Sequence, residues 1–245
     1  MRLLGKMSWL EQKLLLREPL TVLFALALPL VVLFVMGGVF GNESTPEIYR
    51  GVGAMNYYVP AYLALVTASV GLISLPTHIA SNRERGVLKR YRASGVPAWI
   101  IVGAEIIVML VIAAVSAIVL VAVAVPIHDV VAPDSIPMVV AGFVLVALAF
   151  ASLGVLLGAV LPSSRAAQAL GVLLWFVLLI LGGAGPPPEV LTGAMSTIGD
   201  LTVLRQGIEV IQDGWLSLDP GASWLVVAAV MLLAAALAIR LFRWE

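Results

Sequence analysis

The sequence predicts an all-α membrane protein with six transmembrane helices, and three observations support that prediction. Of the 245 residues, 62% are apolar or aromatic and only 11% are charged. A typical soluble domain is about 45–50% apolar and about 25% charged. The apolar residues fall in nearly uncharged runs of about 20 residues, the length that crosses a bilayer as a helix. The charged residues collect in the segments between these runs.

Six runs have the required length and composition. They are residues 19–40, 57–80, 98–125, 136–161, 166–185 and 222–239. The third run contains one acid, Glu105, close to its start. An even number of crossings places both termini on the same side of the membrane.

The basic residues identify that side. Twelve of the fourteen Lys and Arg residues lie in the termini and in the loops that share their side, whereas Arg50 and Arg205 lie on the other side. Cytoplasmic segments of membrane proteins carry an excess of Lys and Arg. We therefore expect a multi-pass plasma-membrane protein with cytoplasmic N- and C-termini.

Residues 1–18 precede the first span. Leu3, Met7, Leu10 and Leu14 recur at helical spacing, four basic residues lie on an adjacent face, and Trp9 is suited to the membrane interface. This pattern predicts an amphipathic helix on the membrane surface. The alternative is a soluble segment that only sets the topology.

The loop of residues 81–97 is the most charged part of the chain. Ser81 or Asn82 is a suitable N-cap for a short helix, and Gly95 with Pro97 would end that helix. Two or three basic residues would hold the loop in the cytoplasm. Five basic residues with apolar residues between them favour a docking surface.

Residues 186–221 form a long external segment. Three consecutive prolines open the segment, and two apolar stretches follow at 190–198 and 201–211, with Asp200 as a plausible N-cap of the second. Both stretches are too short to span a membrane. They could re-enter the membrane, lie on its outer surface or belong to an ordinary loop.

No catalytic constellation or metal site is visible in the sequence. Cysteine is absent, and His78 and His128 lie at opposite ends of the predicted topology. None of the three lysines stands in a Gly-rich Walker A pattern. We therefore expect a non-enzymatic chain that binds no cofactor, and any ATP hydrolysis must take place on another polypeptide.

Few polar side chains lie within the spans. Glu105 is costly in hydrocarbon unless it is paired or near the interface, so it is a candidate functional residue and equally a candidate for pairing with a loop Arg. The second and fifth spans carry mildly polar stripes, which could line a pathway or bond across helices. The candidates for a pathway are Tyr62, Thr67, Ser69, Gln168 and Trp175.

This layout resembles the permease subunits of ABC-2 type exporters over essentially the whole chain. The most specific match is the run Asn82-Arg83-Glu84-Arg85-Gly86-Val87-Leu88-Lys89-Arg90 with Ser94-Gly95-Val96-Pro97. A second match is Leu181-Gly182-Gly183, then Pro188 and Leu191, followed by residues 201–214.

The resemblance implies that two permease subunits, identical or different, pair in the membrane and that a cytoplasmic ABC ATPase binding ATP and Mg serves each one. It makes residues 81–97 the coupling segment and places the cargo path along spans two and five. The coupling residues would be Asn82, Arg83, Glu84, Arg85, Gly86, Leu88, Lys89, Arg90 and Arg92. The expected cargo is amphipathic, namely a drug or antibiotic, a lipid or a glycolipid, in a bacterial inner membrane. Membrane lipid is the surrounding partner, and no nucleic acid is expected to bind.

Two other functions fit the same composition. One is an ion-coupled secondary carrier that uses Glu105 as its proton site, although such carriers usually place several polar groups near the midplane. The other is a non-transporting membrane anchor that recruits a cytoplasmic partner through the basic loop.

Overall fold

A computed structural model describes residues 19–43 and 48–241 of the chain. Within these ranges the protein is built from α-helices, and no β-strand occurs among the described residues. The helices are α1 (Pro19–Phe40), α2 (Ala54–Glu84), α3 (Val87–Ala93), α4 (Ala98–His128), α5 (Ile136–Val160), α6 (Ser164–Leu181), α7 (Ala194–Asp200), α8 (Val203–Trp215) and α9 (Ser223–Leu241), with 3-10 turns at Tyr49–Gly51 and Pro188–Val190.

The helix lengths and compositions confirm the predicted all-α membrane class. Five helices of the described chain, α2, α4, α5, α6 and α9, are long and apolar enough to cross a membrane. The uncharged helix α1 has 22 residues and contains the apolar segment Pro29–Val39. The predicted surface helix at residues 1–18 lies outside the described residues.

Helix α2 is the centre of the bundle. Of its most apolar 18-residue window, 89% is buried within the protein, compared with 17% for α6 and for α9. Helices α1, α4, α5, α6 and α8 pack around it. The hydroxyl groups of the polar stripe of α2 are thereby kept away from lipid, which offers them no hydrogen-bond partner.

The middle of α2 contains a π-helical turn at Val70–Ser74. Pro76 lies just beyond this turn and has no N–H to donate to the Leu72 carbonyl, which an α-helix would require. Helices α5 and α6 approach α2 closely here. On α5, a Cβ added to Gly154 would overlap the Gly71 carbonyl oxygen. A Cβ on Gly171 would likewise overlap the Leu72 carbonyl oxygen.

The helix at the predicted cytoplasmic end of α2 differs from the sequence prediction. No new helix begins at Ser81 or Asn82, because α2 continues without a break to Glu84. The turn comes instead at Gly86, whose φ of +67° is disfavoured for residues with a side chain. Helix α3 then begins at Val87.

The predicted external segment contains two helices and packs along the bundle. Helix α8 runs antiparallel to α5, with Gly207 against Val146 and Gly214 against Val139. Val146 lies ten residues into α5, which corresponds to a depth of about 15 Å along that helix. The N-cap of α8 is Thr202, and the predicted cap Asp200 instead ends α7.

Candidate functional site at the junction of α2 and α3

The basic residues that follow α2 form an exposed surface. Arg85, Lys89 and Arg90 are all solvent-exposed, and Arg90 Nη2 donates a hydrogen bond to the Arg85 carbonyl oxygen at 3.0 Å. Leu88 is buried, so its side chain attaches α3 to the rest of the protein and is not available to a partner. We call Arg85, Lys89 and Arg90 the α3 basic surface. The Arg92 side chain lies outside the described residues.

The predicted intramembrane acid is paired with the end of α2. Glu105 of α4 has a side chain that is only 6% exposed, and Asn82 Nδ2 donates to Glu105 Oε1 at 3.0 Å. His78 Nδ1 lies 3.0 Å and 3.1 Å from the two Glu105 oxygens. A loop Arg was one expected partner of this carboxylate, and the partners it has are a His and an Asn of the neighbouring helix.

Arg83 contacts the end of α5. Its Nη1 donates to the carbonyl oxygens of Gly158 at 3.1 Å and Ala159 at 3.0 Å, and its Nη2 donates to that of Leu161. These carbonyls belong to the last turn of α5, where helical partners are lacking. The guanidinium therefore caps the C-terminus of α5.

Glu84 contacts the start of α6. Its Oε1 accepts from the Ser164 backbone N–H at 3.2 Å, and its Oε2 accepts from the Ser164 hydroxyl at 2.7 Å. Ser163 adds the N-cap of α6 by accepting from the Ala166 N–H at 3.1 Å. The coupling residues predicted from the sequence thus divide into residues that pack against or bond to other parts of the bundle, Asn82 to Glu84 and Leu88, and the α3 basic surface, with Gly86 at the turn.

The predicted cargo-path residues of α2 are all buried, and Thr67 and Ser69 are hydrogen-bonded, whereas the Tyr62 hydroxyl has no hydrogen-bond partner among the described residues. Thr67 Oγ1 donates to the Ala64 carbonyl oxygen at 2.7 Å, and Ser69 Oγ donates to that of Leu65 at 2.8 Å. Tyr62 is buried and stacks on Tyr58, with ring centroids 5.6 Å apart.

The two predicted path residues of α6 are placed differently. Trp175 is buried, and its Nε1 donates to Ser69 Oγ at 2.6 Å, which joins the polar stripes of α2 and α6. Gln168 is exposed, about two turns closer to the start of α6. The structure therefore brings Ser69 and Trp175 together and leaves Gln168 apart from them.

A polar network near the predicted external end was not anticipated from the sequence. Arg50 Nη2 and Arg205 Nε each lie 3.1 Å from Glu209 Oε1. Arg205 Nη1 also lies 3.4 Å from the Tyr57 hydroxyl. The sequence signal was present, because Arg50 and Arg205 are the two basic residues on a side that otherwise has none.

Tyr49 lies at the edge of this network, and the centroid of its ring is 5.7 Å from that of Tyr57. Burial, together with the Glu189 carboxylate, raises the pKa of the Tyr49 phenol, so this hydroxyl stays protonated at neutral pH. The network joins the start of α2 to α8 and holds its charges paired. Across the described part of the chain, no group of three or more acidic or His side chains is arranged to hold a metal ion.

Comparison with known proteins adds one finding. A family model described as ABC-2 type transporter matches residues 2–216. The matched region includes α1 to α8 and therefore both the α2–α3 junction and the predicted external helices α7 and α8. No curated protein matches the chain.

Proposed function

The chain belongs to the ABC-2 type transporter family as its membrane-embedded permease component, and we propose that it acts in an ATP-driven exporter whose ATPase is a separate subunit. ATP and Mg would bind to that ATPase. The permease would supply the path for the cargo and the surface that receives the motion of the ATPase.

The α3 basic surface is the observation that carries this proposal. Its three cationic side chains are exposed, while Leu88 beneath them is buried. The surface therefore combines freedom to contact a partner with firm attachment to α2, the most buried helix. A partner that pushes on α3 would act on the centre of the bundle.

The proposed cargo is an amphipathic molecule, namely a drug or antibiotic, a lipid or a glycolipid. Support comes from the mildly polar stripe of α2 and α6 around Ser69 and Trp175, which offers hydroxyl and indole groups and, among the described residues, no ion pair. A strongly charged solute would leave its charge unpaired there. Because Tyr62, Ser69 and Trp175 are buried, we propose that the path opens only when α6 moves relative to α2.

We also propose that two permease subunits pair in a bacterial inner membrane with their termini in the cytoplasm. Support comes from the uneven distribution of basic residues and from the exposed apolar face of α6, which includes Leu173, Phe176 and Ile180. This face would contact the second subunit or membrane lipid.

Reconstitution tests the proposal. The chain is placed in liposomes with and without a co-expressed stand-alone ABC ATPase, and the flux of a fluorescent amphipathic probe is measured with ATP and Mg. We expect flux only with the ATPase and ATP together. Flux driven by the chain alone would contradict the proposal.

The docking surface is tested by charge reversal. We expect the double substitution Arg85→Glu and Lys89→Glu to reduce ATPase co-purification at least tenfold, because close charge pairs contribute strongly to association. Arg240→Glu is the control, since Arg240 is also exposed on the same predicted side but lies at the end of α9. Equal co-purification of the double variant and the control would argue against docking on α3.

A further inference from the structure

Two adjacent side chains at the end of α2 hold both sides of the turn between α5 and α6. Arg83 caps the last carbonyls of α5, and Glu84 caps the first N–H of α6. The turn between the two caps is short, since α5 ends at Val160 and α6 begins at Ser164. We call Arg83 and Glu84 the α2 clamp.

The charges of the clamp match the helix ends that they contact. The C-terminus of a helix carries partial negative charge, and its N-terminus carries partial positive charge. The Arg83 cation lies on the C-terminus of α5, and the Glu84 anion lies on the N-terminus of α6. Exchanging the two residues would place each charge against a helix end of its own sign.

Close packing beside the clamp limits independent movement of α5. A Cβ on Gly158 would lie 2.9 Å from Ile79 Cβ and 3.2 Å from Pro76 Cα, so the absence of a side chain at Gly158 lets the Ile79 side chain and the Pro76 backbone pack directly on α5. Asn82, which precedes the clamp, binds Glu105 of α4. Three consecutive residues of α2 thus contact three different helices, α4, α5 and α6.

The clamp lies between the two helices whose movements the proposed function would couple, α3 and α6. On one side the chain turns at Gly86 into α3 and its basic surface, and on the other side lies α6, which carries Trp175. We propose that Arg83 and Glu84 are positioning residues that transmit movement of α3 to α6 through the α5–α6 turn. The mechanical link stands on its own contacts, whereas its role in export rests on the proposed function.

The link is measured first without any ATPase. The sequence contains no cysteine, so spin labels can be attached at Lys89→Cys and Leu173→Cys, two exposed positions on α3 and α6. Labelled chain is diluted with unlabelled chain in lipid nanodiscs, and the distance distribution is recorded by double electron–electron resonance. We expect the combined variant Arg83→Gln and Glu84→Gln to widen the distribution at least twofold.

Arg85→Gln is the matched control, because Arg85 is an exposed charged residue next to the clamp in sequence but belongs to the α3 basic surface. Its distribution should equal that of the parent. Glu84→Gln alone is the second variant, since loss of an exposed side chain leaves the fold intact, and it should also widen the distribution. An unchanged width in both clamp variants would overturn the inference.

The functional consequence is measured in the reconstituted complex. We expect the clamp variant to keep ATPase co-purification and to lose at least tenfold in probe flux per ATP hydrolysed. Parental flux per ATP in the clamp variant would overturn its role in coupling. Absence of flux in the parent itself would instead refute the proposed export, and the distance measurement would still decide whether the clamp links α3 to α6.

Discussion

The partners of Glu105 determine whether this acid is a transport site or a structural one. Its carboxylate accepts a hydrogen bond from Asn82 and lies beside the His78 imidazole, so it is paired where it lies in the described structure. Pairing of this kind is how membrane proteins accommodate an ionisable group. A proton site would require that the carboxylate change its charge during each cycle, whereas a structural site requires only the hydrogen bond.

Glu105→Gln separates these roles. The amide oxygen of Gln keeps the acceptor for Asn82 but cannot carry the charge, so we expect ATP-driven flux to stay within about threefold of the parent value, a change of less than 1 kcal/mol. Glu105→Leu should lower stability by about 1–3 kcal/mol, because it leaves the partly buried Asn82 amide without its acceptor. Thermal unfolding in detergent measures the second change. Loss of all flux in Glu105→Gln with ATPase stimulation intact would favour the ion-coupled carrier.

At the scale of elements, the sequence predicted the helices better than the contacts between them. Apolar runs of bilayer length are a strong signal, and each predicted run corresponds to a helix in the described chain. The predicted start of α3 is wrong because helix-compatible residues continue past Asn82, so that α2 extends to Glu84 and the chain turns only at Gly86. The division of residues 82–90 into residues that contact other helices and the α3 basic surface depends on the α5–α6 turn, which is about 75 residues away in sequence.

The π-turn of α2 is another feature that the sequence only suggested. The sequence contains Pro76 at this point, yet a proline in a membrane helix can also produce a kink. The π-turn leaves the Gly71 and Leu72 carbonyls facing Gly154 and Gly171, where close approach permits weak Cα–H···O contacts. Because these contacts require glycine, the middle of the bundle depends on the absence of two side chains.

Gly154→Ala tests that dependence. The added methyl group would overlap the Gly71 carbonyl oxygen, so we expect destabilisation of about 1–3 kcal/mol from overpacking. Gly38→Ala is the control, because Gly38 is also helical and a Cβ there meets no atom within 4 Å. The control should leave stability unchanged or raise it by up to about 1 kcal/mol. Thermal unfolding and the monodisperse fraction in detergent are measured, and equal behaviour of the two variants would refute close packing at the π-turn.

At the scale of the whole molecule, the charge distribution and the fold bear on the same question of orientation. Twelve basic residues share one predicted side, and the two on the other side, Arg50 and Arg205, both pair with Glu209. The positive-inside rule counts Lys and Arg residues, so the small number of them on that side supports the orientation whether or not they are paired. The α3 basic surface, by contrast, stays exposed, as a cytoplasmic docking surface must.

Cysteine labelling tests the orientation directly. Since the natural chain has no cysteine, Leu201→Cys and Lys89→Cys each provide one reactive site, and the unmodified chain provides the blank. Leu201 is 79% exposed on the predicted external segment, so we expect it to react with a membrane-impermeant maleimide in intact cells. Lys89→Cys should react only after permeabilisation, because reversing the membrane would place twelve basic residues outside. Val210 lies on α8 and is buried against α5, so Val210→Cys should stay unlabelled in both conditions. This control distinguishes a cysteine that is buried from one that lies on the other side of the membrane. Labelling of Lys89→Cys in intact cells would show that the orientation is the opposite of the predicted one. Helix α3 would then lie outside the cell, where no cytoplasmic ATPase could bind it.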